Sequence, residues 1–169
     1  KKHLNGTERI AEGYLKLKKK YDLIIDIQGD EPLIDPKSID KVIIHHLKNK
    51  SADIILPTLP SRRKSSKNIV KVIKDNYNKV LYLSRYNLPF QFKNKNNKYL
   101  KHLSVISFKP QSLLKFYKSK ETFAERIESI ELLRALELGM QIKTLEIYGD
   151  SFSVDIKEHY IKAKKYILK

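Results

Sequence analysis

The sequence contains no cysteine, and this absence restricts both its covalent chemistry and its metal sites. Without thiols the chain forms neither disulfides nor thiolate zinc sites, a composition that fits a reducing cytoplasm. No apolar run approaches the roughly 20 residues that a membrane-spanning helix needs. Glycine is scarce, at five residues, and no Gly-rich phosphate-binding loop occurs in the chain. The remaining composition, 41% hydrophobic and 32% charged over 169 residues, predicts one globular domain with an apolar core.

Acidic residues are few relative to basic ones, so the formal net charge is +16. Clustered lysine and arginine would favour a polyanionic partner, because they release counterions from a phosphate backbone. Lysine outnumbers arginine 29 to 6, however, and the lysines are spread along the whole chain. Nucleic-acid-binding proteins usually favour arginine for bidentate contacts. The charge therefore fits a lysine-rich background better than a basic nucleic-acid-binding module, which we keep as an alternative class of function.

The pattern of apolar and polar residues alternates between helices and strands. Asn5 and Glu8 form a capping-box pattern, and apolar residues follow at helical spacing. The nearly continuous apolar run 22–27 is typical of a strand buried on both faces of a parallel sheet. Further strands are predicted at 52–56, 70–73, 80–83, 103–108 and 142–147, and further helices at 36–47, 111–117, 125–138 and 156–168. This order predicts an α/β sandwich with a mostly parallel sheet and a β-hairpin excursion.

One expected element is missing from this order. Folds of this kind usually begin with a strand and a loop that carries phosphates at a helix N-terminus. This chain begins with a helix instead. The phosphate loop is therefore either foreign to the protein or located upstream of residue 1.

Two aspartates lie where a sheet of this kind binds ligands. Asp30 follows the first strand and Gly29, which predicts a position at the carboxyl edge of the sheet. Asp155 follows a polar turn near the other end of the chain. Mg²⁺ is typically held by one or two carboxylates plus substrate phosphate oxygens, so the two aspartates would suffice if they converge. Spacing alone leaves an alternative open, with Asp30 as a turn residue and Asp155 as the N-cap of the last helix.

The order of several short motifs makes the sequence similar to one enzyme family. In chain order these motifs are HLNGTERIAE at 3–12, IQGDEPLI at 27–34, Val70-Lys71-Val72, Ser84-Arg85, Lys101-His102, Glu128, Glu131-Leu132-Leu133-Arg134 and Val154-Asp155. Together they resemble the 3-deoxy-manno-octulosonate (Kdo) cytidylyltransferases, and the resemblance covers essentially the whole chain. It implies a three-layer sandwich of the nucleotide-diphospho-sugar-transferase type.

Members of that family carry a further N-terminal stretch, which includes the first strand and the loop that holds the CTP phosphates. The resemblance therefore accounts for the missing element. We expect residues 1–169 to be the C-terminal part of a single cytidylyltransferase domain, truncated at its N-terminus. By itself this part is expected to be inactive.

The resemblance also implies roles for individual positions. Asp30 and Asp155 match the two magnesium-binding aspartates, which would make them the catalytic metal ligands. The matches on the sugar side are Arg9, Gln28, His102 and Glu131, with Lys71 and Arg85 as further substrate-side positions. The matches beside the nucleotide are Asn5, Gly6 and Thr7, where the family more often has Ser in place of Asn5.

The implied reaction joins CTP to a 3-deoxy-ulosonic acid, Kdo or a close relative, and releases pyrophosphate. The anomeric hydroxyl would attack the α-phosphorus in line, with Mg²⁺ as the cofactor. Such an activity would serve lipopolysaccharide or other surface-glycan synthesis in the cytoplasm, without membrane insertion or a nucleic-acid partner. The resemblance also implies a homodimer, with the hairpin at 70–84 either at the dimer interface or only covering the sheet. A cytidylyltransferase for a sialic-acid-like sugar is the alternative among enzymes.

Two positions depart from the family pattern. Ile106 stands where the family usually has a Tyr that reaches the sugar, and Leu132 stands where it usually has a Gln. Both changes replace polar groups by apolar ones. Because a site built to hydrogen-bond a hydroxyl discriminates strongly against analogues that lack it, such changes are expected to alter which sugar fits.

Three of the matched positions also have purely structural explanations. Arg9 could be a solvated side chain, although a cation is unfavourable at a helix N-terminus and a ligand role is the better explanation. His102 could be an ordinary core or edge histidine. Glu131 and Arg134 are three apart on a predicted helix and could pair at the surface.

Overall fold

The structure is a computed structural model that describes residues 3–61, 66–90, 92, 98–149, 152–154 and 156–168. The helices in this part of the chain are α1 (Gly6–Leu17), α2 (Pro36–Lys48), α3 (Pro110–Lys118), α4 (Phe123–Glu128), α5 (Leu132–Glu137) and α6 (Lys157–Ile167). The strands are β1 (Ile24–Ile27), β2 (Ile54–Ser61), β3 (Lys71–Lys74), β4 (Val80–Ser84), β5 (Tyr99–His102), β6 (Val105–Phe108) and β7 (Ile142–Glu146). No helix among these residues is long and apolar enough to cross a membrane.

Helices cover both faces of the sheet and give the predicted three-layer α/β arrangement. On one face, residues of α1, α3 and α5 pack around Ile106 and Phe108. On the other face, Val42 of α2 packs with Ile55 and Val105 in a second apolar cluster. The continuous burial of β6 follows from this arrangement, because all four of its residues lie between two helical layers.

The strands form one sheet in the order β1-β6-β2-β5-β3-β4, and β7 pairs with β2 outside this path. The expectation of a mostly parallel sheet is wrong for the described strands. Only β2 and β7 pair in parallel, and the other pairs are antiparallel. One reason is β6, which is inserted between β1 and β2 and runs opposite to both; β5 and the β3–β4 hairpin add the remaining antiparallel pairs. An apolar run buried on both faces has the same sequence signature in either direction, so its composition does not reveal this.

Strands β1, β2 and β7 nevertheless run in the same direction, because β6 is antiparallel to two of them and β7 is parallel to β2. Their carboxyl ends therefore share one edge of the sheet. The loop after β1 contains Gln28 and Asp30, as the sequence predicts. This edge is where the candidate site lies.

The predicted helix 125–138 is two short helices. Helix α4 ends at Ser129, whose backbone is left-handed at φ 53°, and α5 begins at Leu132. Ile130, between them, is buried with 6% exposure and joins the core. The apolar spacing continues across this break, so the sequence pattern suggests a single helix. The break turns both helix ends toward the carboxyl edge of the sheet.

Strand β5 is a second difference from the predicted elements. The structure has a strand at Tyr99–His102, whereas the polar, Lys- and Asn-rich stretch 93–99 predicts a loop and the next predicted strand begins only at 103. Loop residues 93–97 lie outside the described residues. Strand β2 also continues past Pro57 to Ser61, because the carbonyl of Pro57 still accepts a bond from the Leu103 N–H (3.1 Å).

Candidate functional site

A cleft of about 560 Å³ opens at the carboxyl edge of the sheet. Its walls come from the start of α1, the loop after β1, the end of β5 and the α4–α5 break. The lining residues are Leu4, Asn5, Gly6, Gln28, Asp30, Glu31, Asn68, Val70, Arg85, Lys101, His102, Ser104, Glu121, Glu125, Arg126, Ser129, Ile130, Glu131, Leu132 and Ser153. Seven of the predicted site positions are in this set, although they lie up to 126 positions apart in the chain.

Gln28 and Asp30 are held in the cleft by backbone bonds of the loop after β1. The Gln28 N–H donates to the carbonyl of Ser104 (3.1 Å), which ties the loop to the start of β6. The Val154 N–H donates to the carbonyl of Asp30 (2.7 Å). Residue 154 therefore contacts the loop after β1, as a joint site of Asp30 with the end of the chain requires. Asp155 itself lies outside the described residues.

The donor set at Asp30 fits a hard divalent cation. Its carboxylate is exposed in the cleft, and Mg²⁺ needs only one or two carboxylates when substrate phosphates supply the other oxygens. Within the described ranges, no three histidine or acidic side chains form a complete metal site. The described residues therefore do not form a metal site made wholly of protein ligands. The magnesium requirement stays a prediction.

The N-terminus of α1 forms one wall of the cleft. Asn5 caps the helix, and its Oδ1 accepts from the Glu8 N–H (2.9 Å), as the capping pattern predicts. Gly6 lies at the first turn, and a Cβ added to it would meet no atom within 4 Å. Thr7 is fully buried, and its N–H donates to Glu131 Oε2 (3.1 Å). The three predicted nucleotide-side residues are thus contiguous with the cleft, and Glu131 binds the last of them, Thr7, directly.

Two carboxyl groups beneath and beside the cleft have raised pKa values. Burial raises the pKa of Glu131, and the Thr7 N–H bond only partly offsets it. Asp26 of β1 is 3% exposed, and its Oδ2 has no hydrogen-bond partner in the described part of the chain. Burial, with the neighbouring charge of Glu131, raises the pKa of Asp26 to about 6. The sequence analysis missed Asp26, whose only signal is a charged residue inside an otherwise apolar strand.

His102 lines the cleft and is neutral at physiological pH. Burial among surrounding protein atoms lowers its pKa to about 4, and the attraction of Glu31 does not compensate for it. The backbone N–H of His102 donates to the carbonyl of Val70 (2.9 Å), which fixes the end of β5 against β3. A neutral imidazole can both donate and accept, so His102 can serve sugar hydroxyls in either role.

Lys71 and Arg85 are mainly occupied by protein groups. Lys71 is 1% exposed, its Nζ donates to the carbonyls of Ser66 (3.2 Å) and Arg85 (2.5 Å), and burial lowers its pKa. It is not among the residues that line the cleft. Arg85 does line the cleft, but its guanidinium donates to three backbone carbonyls, at Glu128 (2.8 Å), Lys67 (3.1 Å) and Ser129 (2.9 Å). These contacts tie β4 to the α4–α5 break.

Arg9 is exposed on α1 and is not part of the cleft lining in the described structure. Its match to a sugar-binding position stays a prediction. The structure also does not pair Glu131 with Arg134 at the surface. Arg134 is fully buried and binds Glu125 and Glu8 instead.

The sequence analysis missed a buried ion pair in the cleft floor. Glu31 is 3% exposed and accepts from Ser104 Oγ (2.9 Å), and Lys101 Nζ lies 3.7 Å from it. Both charged residues stand inside quoted motifs, directly beside Asp30 and His102. Because the pair joins the loop after β1 to β5, it fixes the distance between two predicted site residues.

The two departures from the family pattern differ in their positions. Leu132 borders the cleft beside Glu131, but it is 1% exposed and packed in the core cluster, so its side chain offers the cleft almost no apolar surface. Ile106 is fully buried in the core cluster and is not among the lining residues. At position 106 the apolar side chain therefore fills the core instead of forming a wall of the cleft.

Comparison with known proteins gives consistent results. A model of a family described as "Cytidylyltransferase" matches residues 1–142. The 3-deoxy-manno-octulosonate cytidylyltransferase of Fusobacterium nucleatum subsp. nucleatum is 38% identical over 172 residues, covering 99% of this chain and 69% of that protein. The enzyme of the same name from Rickettsia rickettsii is also 38% identical, covering 95% and 66%. The chain thus spans about two thirds of the length of these curated relatives.

Solved structures show the same likeness. A CMP:2-keto-3-deoxy-manno-octonic acid synthetase complexed with CTP aligns with a TM-score of 0.89 and 26% identity, covering 98% of this chain and 69% of that one. HddC from Yersinia pseudotuberculosis, complexed with GMP-PN, aligns with a TM-score of 0.62 at 12% identity, covering 98% and 64%. At that identity the second likeness concerns the fold alone.

Proposed function

The chain belongs to the cytidylyltransferase family, and on that basis we propose that the full-length protein transfers CMP from CTP to a 3-deoxy-ulosonic acid. The reaction releases pyrophosphate and requires Mg²⁺. The observation that carries this proposal is the cleft, which gathers seven family-matched positions from distant parts of the chain. Relatives at 38% identity are named for the same reaction with 3-deoxy-manno-octulosonate, which is the first sugar acid to test. The product would serve lipopolysaccharide or other surface-glycan synthesis.

The charges of the cleft explain why a cation is needed. Among the described lining residues, five are acidic (Asp30, Glu31, Glu121, Glu125 and Glu131) and three are basic (Arg85, Lys101 and Arg126). Both proposed substrates are anions, and carboxylates repel a triphosphate. A bound cation at Asp30 removes this repulsion.

Magnesium would be held by Asp30 together with Asp155 and substrate phosphate oxygens. When bound, it neutralises charge on the phosphates and on the leaving pyrophosphate. The contribution of the chain is to hold the Asp30 carboxylate in place, through the Val154 bond and the buried Glu31–Lys101 pair.

The remaining cleft residues suit recognition of a polyhydroxylated acid. Neutral His102 offers one donor and one acceptor to hydroxyl groups. Arg126 lines the cleft with its side chain 64% exposed, which leaves its guanidinium accessible to a ligand carboxylate. We propose that the sugar acid lies along this wall, with the nucleotide beside Asn5, Gly6 and Thr7.

Pyrophosphate release tests the proposed function. Full-length protein is incubated with CTP, Mg²⁺ and 3-deoxy-manno-octulosonate, and parallel reactions contain a sialic acid, no sugar, or a chelator in excess of the metal. We expect release only with the ulosonic acid and the metal. Release with the sialic acid alone would favour the other sugar class, and no CTP-dependent release with any sugar acid would refute the activity.

Asp30→Asn gives a matched test of the metal position. The variant keeps the side-chain shape but removes the charge, so we expect turnover to fall by at least roughly 10³-fold with an unchanged thermal unfolding midpoint. Near-normal turnover in this variant would remove Asp30 from the metal site.

We also propose that the protein is a cytoplasmic homodimer. Support comes from β4 of the hairpin, where Leu81 and Tyr82 are 54% and 38% exposed although both are large hydrophobic residues. Exposed apolar side chains on a sheet edge are typical of an interaction surface. Sedimentation of the full-length protein gives its mass in solution, and a monomer at micromolar concentration would refute this assembly.

A further inference from the structure

Arg134 is a fully buried arginine whose charge is neutralised on two sides. Its Nε and one terminal nitrogen donate to the two oxygens of Glu125 (2.6 and 2.7 Å). Its other terminal nitrogen donates to Glu8 Oε1 (3.0 Å). The guanidinium also lies 4.3 Å from the centre of the Phe116 ring. One side chain thus joins α1, α3, α4 and α5.

The two carboxylates that bind Arg134 also accept hydrogen bonds from residues that line the cleft. Glu125 Oε1 also accepts from Asn5 Nδ2 (3.1 Å), and Glu8 Oε2 accepts from the Leu4 N–H (3.0 Å). Leu4 and Asn5 line the cleft, whereas Arg134 does not. The contacts therefore connect the buried guanidinium of Arg134 to Leu4 and Asn5, which lie on the predicted nucleotide side of the cleft.

The geometry of these contacts is restrictive. A bidentate arginine–carboxylate pair fixes both the distance and the plane of the two groups. Burial makes the pair stiffer, because leaving either charge unpaired in the interior is costly. Glu8 and Glu125 are consequently held in one orientation, and so are the donors that they accept from.

We propose that Arg134 is a positioning residue that fixes segment 4–7 against the cleft through Glu8 and Glu125, and thereby sets the affinity for the nucleotide. The proposal rests on the proposed function for the identity of the nucleotide. It differs from a merely stabilising role because the contacts end on two cleft-lining residues. Loosening the segment weakens the bound ground state and the transition state alike, so it raises KM for CTP and leaves kcat unchanged.

Glu8→Gln is the principal test, and Glu12→Gln is its matched control. The two residues lie one turn apart on α1, and Glu12 binds His3 and Lys16 instead of Arg134. In the full-length protein we expect Glu8→Gln to raise KM for CTP by about tenfold, the loss of roughly one charged hydrogen bond. Its kcat and its KM for the sugar acid stay within about twofold of the wild type, as do all three constants of Glu12→Gln.

Arg134→Lys tests the buried end of the network. Lysine keeps the charge but cannot bind two oxygens of one carboxylate in a plane, so KM for CTP is expected to rise at least as much as in Glu8→Gln. If this variant does not fold, Glu8→Gln decides alone. Equal KM values for CTP in the two α1 variants would overturn the proposal. A fall in kcat that accompanies the rise in KM for CTP would overturn it too.

Amide hydrogen exchange separates this proposal from the proposed function, because it needs no substrate. The Leu4 N–H loses its carboxylate acceptor in Glu8→Gln, so we expect it to exchange about tenfold faster than in the Glu12→Gln control. Faster exchange without any CTP-dependent activity in the wild type would refute the proposed function and keep the positioning role. Unchanged exchange at Leu4 with full activity would refute the positioning role alone.

Discussion

At the scale of single residues, the cleft depends on groups whose charge is set by burial. His102 is neutral because burial lowers its pKa to about 4, and Asp26 has a pKa raised to about 6 for the same reason. Desolvation disfavours the charged form of any group, so it lowers the pKa of a base and raises that of an acid. The two shifts therefore have one cause and opposite signs, and both are invisible in the sequence.

The raised pKa of Asp26 predicts a pH-dependent stability. Between the ordinary aspartate pKa of 3.8 and the raised pKa of about 6, the folded protein holds a proton that the unfolded chain releases. This contribution is present below pH 3.8 and is lost as the pH rises through 6, after which Asp26 is ionised in a buried position. Asp26→Asn removes this ionisation. We expect the variant to gain stability over the wild type at pH 8, on the order of 2 kcal/mol.

Urea unfolding of the full-length protein at pH 4.5 and pH 8 measures this effect. The advantage of Asp26→Asn should shrink at the lower pH, because Asp26 is then largely protonated in the folded wild type. Asp22→Asn, at an exposed position just before β1, serves as the control and should show no such change. An equal advantage for Asp26→Asn at both pH values would contradict the assignment.

At the scale of elements, the sequence predicts the ends and faces of regular segments better than their partners. The start of α1 can be predicted from the sequence, because Asn5 and Glu8 accept hydrogen bonds from backbone N–H groups in a local pattern. The break at Ser129 cannot be predicted from the local sequence, because it accompanies tertiary contacts between Glu128 and Arg85, which are distant in the chain. Strand β5 is short and polar, and its pairing with β2 and β3 is what makes it a strand.

The α4–α5 break gives an element-scale prediction. Glu128 accepts from Ser84 Oγ (2.7 Å) and from the Arg85 N–H (3.0 Å), which attaches α4 to the end of β4. Glu128→Ala removes both acceptors. Because hydrogen bonds to charged groups contribute about 1.5–3 kcal/mol each, we expect a loss of about 3 kcal/mol in the free energy of unfolding.

Chemical denaturation of the full-length protein measures this loss, and Glu121→Ala is the comparison. Glu121 lies in the same region, but its ion pair with Arg126 is exposed and 3.5 Å long, so its removal should cost less than about 1 kcal/mol. Equal losses for the two variants would mean that Glu128 does not hold α4 in place.

At the scale of the whole molecule, the site is predicted from the sequence only in part. Family-matched positions such as Gln28, His102 and Glu131 do converge on one cleft. The cleft floor, with Glu31 and Lys101, is a product of the fold, because Lys101 of β5 approaches the loop after β1 only when β1, β6, β2 and β5 assemble in one sheet. Lys71 likewise reads as a free cation in the sequence, and only its burial shows that backbone carbonyls occupy it.

The net charge gives a whole-molecule prediction against the nucleic-acid alternative. Dispersed lysines bind a polyanion only through counterion release, so affinity for single-stranded RNA should fall steeply with salt. We expect fluorescence anisotropy of a labelled oligonucleotide to show no measurable binding by the full-length protein at about 150 mM salt. Pyrophosphate release from CTP should continue under the same conditions. Tight binding that persists at this salt concentration would revive the alternative.

Strand β1 has a further consequence for how the chain behaves in solution. It stands at one end of the strand order, and among the described strands it pairs only with β6. Another extended segment can pair with such an edge by backbone hydrogen bonding. Ile27, which is 50% exposed, adds an apolar contact at this edge. A charge of +16 keeps copies of the chain apart at low ionic strength, whereas about 0.1 M salt screens charges beyond roughly 10 Å. We therefore expect association of the 169-residue chain through this edge to increase with ionic strength.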